Sequence, residues 1–342
     1  MPIPLADLIA SRDWHPHIAM DGEVADVLRV VDLDMPIPGD LSALESRVCL
    51  VLGVTTQAPS APLARAAKQL DLVLTTAPSD DPGLIQVADL DTAIAQLTGA
   101  AAQFPRAALV LAALLRQTPQ LPTASAIAVE AAAYSTLLAG PEFAGWLASR
   151  GTRKPTPAVE TARVETSLND GLLSIRMTRR LRLNAIDGAM RAALVDSFAI
   201  AIADPALRVH FSGEGPCFSN GGDLREFGTT PDPATAWTVR MTQHPGWQLS
   251  NISDRTHVHM HGPCVGAGVE MAAFAGTVFA EPTTTFLLPE LHMGLLPGAG
   301  GCVSIPRRIG RWRTLWLLLT ASVISAQEAL DWGLIDDIVP ND

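Results

Sequence analysis

Lysine is almost absent from this 342-residue chain: only Lys68 and Lys154 stand against 22 arginines. A Schiff-base mechanism needs a lysine amine, so it is disfavoured, whereas arginine suits fixed contacts to phosphates and carboxylates. Cysteine is sparse too. Cys49, Cys217, Cys264 and Cys302 form no CxxC pair, which excludes a zinc ribbon and a thioredoxin-type motif and leaves buried thiols. No basic segment followed by an apolar run opens the chain, so no signal peptide is expected. The longest apolar stretch, around Leu315–Ala326, is too short to span a bilayer. Positive charge is also in deficit. The formal net charge is −11, which argues against a nucleic-acid partner because phosphate backbones require a basic face. The expectation is a protein of the cytoplasm with no membrane or nucleic-acid partner.

What the chain does have is apolar residues, 48% of the total against 17% charged, enough for a sizeable core. Residues 1–150 carry 8 basic and 16 acidic side chains, and residues 151–342 carry 16 and 19, so the acidity is concentrated in the first part. The composition breaks at Ser149–Thr161, which holds two prolines and a glycine and no apolar run. The resulting division is an irregular tail over 1–23, a domain over 24–150, a linker over 151–161 and a second domain over 162–342. The first domain reads as strands (Val27–Leu33, Val48–Val54, Leu72–Thr75) followed by helices, among them Leu63–Leu70, Arg106–Gln117 and the Ala-rich Ala124–Leu138. The second alternates strand and helix, which predicts an α/β layered fold with largely parallel strands.

Three segments in the second domain carry candidate chemistry. Phe218-Ser-Asn220-Gly-Gly222-Asp223 follows a strand and offers peptide N–H groups to a ligand. Gly262-Pro-Cys-Val-Gly266-Ala267-Gly-Val-Glu270 leads from a strand into a helix whose N-terminus suits an anion. It is neither a P-loop nor a complete GxGxxG. In Pro289-Glu290-Leu-His-Met-Gly294-Leu-Leu-Pro297-Gly298-Ala-Gly-Gly301, Glu290 lies between apolar residues and a glycine-rich loop, a setting that raises a carboxyl pKa.

In this order, the three segments resemble the enoyl-CoA hydratase/isomerase (crotonase) superfamily. The resemblance runs from about Val164 to Val339 and includes Asn184-Ala185-Ile186 and the tail Gly333-Leu-Ile-Asp336. It implies a ββα spiral core and an acyl-CoA thioester as substrate, with no cofactor beyond the CoA that the substrate carries and no metal. It also implies a homo-oligomer, trimeric or hexameric, in fatty-acid metabolism. The peptide N–H groups of Gly222 and Ala267 match the family's oxyanion hole, which stabilises an enolate. Glu270 and Glu290 match the acid/base pair of members that hydrate 2-enoyl thioesters, and Gly298 matches the glycine that helps hold the water. Asn220 and Asp223 count as candidate substrate contacts. Arg180 and Arg182 are either phosphate contacts or a solvated face. Trp237, Met241 and Trp247 either line the acyl pocket or pack in the core. Retention of both glutamates favours a lyase that hydrates an enoyl-CoA or runs the reverse dehydration. Isomerisation, hydrolysis of a C–C or thioester bond, and a non-catalytic CoA-binding assembly role are the alternatives.

Three departures accompany the resemblance. His261 replaces the usual asparagine of the second segment, and with His257 and His259 it alternates along one strand, where core packing is favoured over a metal site. Leu287-Leu288 make the surroundings of Glu290 more apolar than usual. No counterpart of the family's C-terminal helices follows Gly333-Leu-Ile-Asp336. The helices before residue 150, closing on Pro141-Glu-Phe143, resemble those helices, so residues 24–150 are expected to be a degenerate crotonase-like or cap domain that supplies them.

Overall fold

The computed structural model describes residues 2–151 and 162–340 of a mixed α/β protein. The expected linker falls almost wholly outside the described residues. In the first part, strands Ile3–Pro4, Leu28–Asp32, Leu50–Thr55, Leu72–Thr75 and Ile85–Gln86 lie side by side in chain order, all parallel. The central strand reads Leu-Val-Leu-Gly-Val-Thr and is buried along its whole length, as expected of a parallel strand covered on both faces. The irregular tail expected over 1–23 needs correction. Ile3–Pro4 extends this sheet and Leu5–Ser11 is helical, because Leu5 and Leu8, three apart on one helix face, are buried with Trp14 in a small core.

Four helices follow: Leu90–Gln103, Pro105–Gln117, Thr123–Leu138 and Pro141–Ser149. Asp89 caps the first through the Thr92 amide at 2.8 Å. The second opens on proline, and its exposed amides are met from a distance: the Glu142 carboxylate accepts from Arg106 N at 2.8 Å and Ala107 N at 3.0 Å.

In the second part a six-stranded sheet runs Asp337–Ile338, Thr277–Ala280, Thr256–Met260, Arg208–Gly213, Leu172–Met177, Val164–Asn169. It is parallel except for its last pair, the hairpin closed by Asp170-Gly171. A smaller sheet of Pro263–Val265, Thr285–Leu287 and Ile324–Ser325 stands beside it. Between the two sheets' strands come helices Gly188–Ala203, Pro233–Thr242 and Ala267–Ala272, and the long helix Gly301–Thr320 follows. That last helix is kinked where Gly310 adopts φ 82°.

The two parts share one core. Leu97, Leu111, Ile127 and Phe143 belong to the same buried cluster as Leu291, Leu295, Cys302 and Ile305. Helix Gly301–Thr320 packs on Leu90–Gln103, Pro105–Gln117 and Thr123–Leu138. Its Trp312 indole donates to Ala67 O at 2.8 Å, and Arg311 donates to Lys68 O and Leu70 O, each at 2.8 Å.

Arg311 also lies 3.8 Å from Asp71, which is 1% exposed. Arg47 and Arg116 each grip Asp71 with two nitrogens at 2.8–3.1 Å, and Val51 N donates at 2.9 Å. Burial alone would raise this carboxyl, but the Arg47 and Arg116 guanidinium groups prevail and hold it at about 2, below the ordinary 3.8. Because the folded value is depressed, the stabilisation is complete above pH 3.8 and disappears as pH falls through about 2. Asp71→Asn leaves buried arginines uncompensated and should cost about 3–5 kcal/mol at pH 7. Urea denaturation should show that the gap between variant and parent narrows as the buffer is acidified toward pH 2–3.

Candidate active site

The first wall is a loop held by its neighbour. The Asn184 amide nitrogen reaches Glu214 O, Cys217 O and Phe218 O at 2.8–3.1 Å, and Ser219 Oγ donates to Asn184 O at 2.9 Å. Ile186 pairs with the loop in a parallel bridge to Gly222, using the Gly221 carbonyl and the Asp223 amide. The Gly222 amide is left out of that bridge. Across from it, helix Ala267–Ala272 begins after Gly266, and Ala267 is its first residue. Among the described residues neither the Gly222 nor the Ala267 amide donates a hydrogen bond, and both residues line one cavity of about 420 Å³.

Two carboxylates enter that cavity. Glu270, 2% exposed, directs Oε2 at Ala299 N (2.7 Å) and Gly301 N (3.0 Å). Burial pushes its pKa up to about 7, and the two amides and Arg240 limit the rise. Glu290 follows Pro289 in a short 3₁₀ turn among the buried Leu288, Leu291 and Leu295. Its Oε2 has no hydrogen-bond partner among the described residues. Burial, then the negative Glu270 and Glu130, raise its pKa well above the ordinary 4.5. Gly266 stands between the pair. A Cβ there would lie 2.4 Å from Glu290 Oε1 and 4.0 Å from Glu270 Oε1, and the backbone has φ +47°. Only glycine leaves room for the Glu290 carboxylate and tolerates that conformation.

The other half of the chain completes the wall. Glu130 on helix Thr123–Leu138 is 1% exposed and accepts from Gly300 N at 2.7 Å and Cys302 N at 2.8 Å. Four consecutive amides at the start of helix Gly301–Thr320 are therefore divided between two carboxylates, 299 and 301 to Glu270 and 300 and 302 to Glu130. Burial, then Glu270, raises the Glu130 pKa well above 4.5. One turn along, the Tyr134 ring lies against Gly298, where a Cβ would come within 2.5 Å of it. The Arg240 guanidinium covers the ring at 3.7 Å. Sequence reasoning gave Glu130 and Tyr134 no role. The available signal was that Glu130 is the only charged residue in Thr123–Leu138, with an aromatic residue at i+4 on the same face.

Of the candidates from sequence, Gly222, Asp223, Ala267, Glu270, Glu290 and Gly298 line the cavity. Asp223 is occupied by Arg179 (2.8 Å) and Arg225. Asn220 is exposed, and its amide donates to Leu183 O. Arg180 and Arg182 sit on an exposed 3₁₀ turn outside the lining. The two tryptophans require correction. Helix Pro233–Thr242 presents Thr235, Ala236, Val239 and Arg240 to the cavity, so Trp237 is rotated to the surface and is 40% exposed, while Trp247 packs against the core. On the histidine strand, His257 stacks on Phe279 and His261 contacts Gly215 O at 2.9 Å. Among the described residues no single helix is long and apolar enough to cross a membrane.

Residues 167–342 match the family model described as enoyl-CoA hydratase/isomerase. The chain is similar to the 2,3-dehydroadipyl-CoA hydratase of Escherichia coli, with 30% identity over 173 residues, 50% of this chain and 67% of that protein. It is similar to the mevalonyl-coenzyme A hydratase of Beauveria bassiana, with 28% identity over 178 residues, 49% of this chain and 64% of that protein. It therefore spans about two thirds of the length of these curated relatives. Among solved structures, an enoyl-CoA hydratase from Thermoplasma volcanium is 28% identical, with a TM-score of 0.46 over 53% of this chain and 73% of that one.

Glu130→Gln keeps the size of the side chain but supplies one acceptor oxygen in place of two, so a buried amide at 300 or 302 loses its partner. The expected cost is about 1–3 kcal/mol. Urea denaturation should register it, with faster hydrogen exchange at residues 299–302.

Proposed function

Because the chain belongs to the enoyl-CoA hydratase/isomerase family, we propose that its cavity adds water across the 2,3 double bond of a 2-enoyl-CoA thioester, or removes it in reverse. The observation that carries this reading is the pair Glu270 and Glu290, both reaching Gly266 from opposite environments. One carboxylate is anchored by two amides and titrates at about 7; the other lies in an apolar pocket with an unpartnered oxygen, where burial raises its pKa well above the ordinary 4.5. A hydration needs one ionised and one protonated group, and these surroundings supply them.

In this reading the Gly222 and Ala267 amides receive the thioester oxygen and stabilise the enolate that develops on it. Glu270 takes a proton from water as the water oxygen bonds to C3. The C2–C3 π electrons move toward the carbonyl, and Glu290 delivers its proton to C2. Glu270 is then protonated and Glu290 ionised, and a proton transfer between them resets the site. The step requires no group beyond the CoA of the substrate. Gly298 has a place for its amide beside the water, and Tyr134 fixes the loop on which it sits. The block before residue 150 contributes Glu130 and Tyr134 to this wall, which supports reading it as a shortened crotonase-like half; its sheet, however, begins at Ile3 rather than at residue 24.

Mass spectrometry of crotonyl-CoA incubated with the protein should show the gain of one water. Glu270→Gln and Glu290→Gln should each lower kcat by about 10²–10⁴-fold. If Glu270→Gln is tolerated while a double bond migrates, the reaction is isomerisation; if no acyl-CoA binds, the protein is not a hydratase. The pH dependence follows from the sign of the shifts. Below about pH 7 Glu270 gains a proton and ceases to act as a base, so kcat/KM should fall on the acid side of about 7. Loss of the Glu290 proton should bring a second fall at higher pH.

A further inference from the structure

The cavity has two arginines without an acid. Arg191, on helix Gly188–Ala203, and Arg240, on helix Pro233–Thr242, both line it together with Gly222, Ala267, Glu270 and Glu290. Among the described residues neither forms an ion pair within 4.0 Å, and the Nε of each is buried without a hydrogen-bond partner. Arg240 donates to Ala236 O at 3.2 Å from Nη1 and rests on the Tyr134 ring.

The carboxylates around them are committed elsewhere. Both Glu226 oxygens accept from Gly188 N at 2.9–3.0 Å. Asp187 holds Arg163 and Arg179 and caps Met190 N. Asp223 holds Arg179 and Arg225. Glu270 and Glu130 take the amides of the glycine loop. Burial lowers the pKa of Arg191 and the like charge of Arg240 adds to that, while Glu226 and Asp187 oppose the fall from beyond ion-pair distance, so neither guanidinium is directly paired. An anion entering with the ligand would pair with them, and paired guanidinium groups favour a carboxylate.

The position separates two sources of such an anion. Arg240 lies on Tyr134, whose other neighbour is Gly298 in the loop that holds Glu270. It is thus one aromatic ring from the loop that anchors Glu270, whereas Arg180 and Arg182 are outside the cavity lining on an exposed turn. We propose that Arg191 and Arg240 receive a carboxylate at the far end of the acyl chain, so that the substrates are CoA monothioesters of unsaturated dicarboxylic acids. This rests on the hydratase reading and names its substrate class.

The test compares two six-carbon thioesters that differ only at the distal end, 2-hexenoyl-CoA and the monothioester 2-hexenedioyl-CoA. The dicarboxylic substrate should have kcat/KM higher by about 10- to 100-fold. Arg240→Met and Arg191→Met should each collapse that ratio; having both variants covers a folding failure of one. A ratio near one in the parent protein, or a ratio that neither variant moves, overturns the proposal while the gain of water keeps the hydratase reading. Equal weakening of both substrates in the variants assigns the arginines to a CoA phosphate and also overturns it. If neither thioester gains water, the hydratase reading fails. Calorimetric binding of the saturated pair, hexanoyl-CoA and the adipic monothioester, then decides the arginines separately: tighter binding of the acid, lost in the variants, supports the proposal, and equal binding rejects it.

Discussion

The structure depends on four backbone amides at the start of one helix. Ala299 and Gly301 donate to Glu270, Gly300 and Cys302 to Glu130. A helix begins with unsatisfied N–H groups and a partial positive charge, so it attracts carboxylates, but few helices bury two at the same end. Here the acids come from opposite halves of the chain. Glu270 belongs to the segment with the glycine-rich motifs, and Glu130 to an Ala-rich helix some 170 positions from the amides it meets. Removing the first half would leave two buried donors without acceptors and would strip Tyr134 from Gly298. The site is thus a joint product of both parts, and the shared apolar core is what holds Glu130 at hydrogen-bonding distance.

The same arrangement sets the charge state of the pocket. Raising Glu270 from 4.5 to about 7 corresponds to a penalty on its ionised form of order 3 kcal/mol. Two charge-assisted amide bonds, each worth about 1.5–3 kcal/mol, are large enough to keep burial from pushing it further. Glu290 has no comparable support on Oε2, so burial wins there outright. Glu130 has amides but also lies near Glu270, and its rise is caused by burial and then by that neighbour. Three acids in one buried volume therefore titrate as a set. In the hydratase reading, the amide-anchored Glu270 serves as the base and the apolar-pocketed Glu290 as the acid.

Local motifs were legible because local geometry decides them. Leu72–Thr75 stands where the sequence pattern predicts it and the helix expected over Arg106–Gln117 is found as Pro105–Gln117, since a short apolar run and helical periodicity are sufficient signals. Gly222, Ala267, Glu270, Glu290 and Gly298 meet in one cavity because each lies beside a strand end or a glycine turn. The failures have equally specific causes. Trp237 lies on a helix that lines the cavity, but one residue is 100° of rotation, so the cavity receives Ala236 and Arg240 and not the indole. Strand Ile3–Pro4 is two residues long, too short to show a period, and exists only because Leu28–Asp32 offers it an edge. Glu130 was invisible because its partners are backbone amides in the other half of the chain, and amides carry no sequence signature.

The scarcity of lysine acquires a structural meaning from this network. Most arginines whose contacts are resolved act as multiple donors to backbone carbonyls or buried carboxylates. Arg255 reaches Ala201 O, Asp204 O and Leu207 O, and Arg308 reaches Ala273 O, Ala275 O and Asp336. Arg179 bridges Asp187, Asp223 and Ala185 O. Arg47 and Arg116 share Asp71. A lysine ammonium, a single point charge on a flexible stem, could not satisfy these fork-shaped sets of acceptors. Arginine is therefore the fastening of this fold, and against that background Arg191 and Arg240 stand apart. They carry the same donor-rich group, they face the cavity, and among the described residues no acid lies within ion-pair distance of them. In a chain that spends its guanidinium groups on fixed partners, an arginine pair without one is best accounted for by a partner that arrives with the ligand.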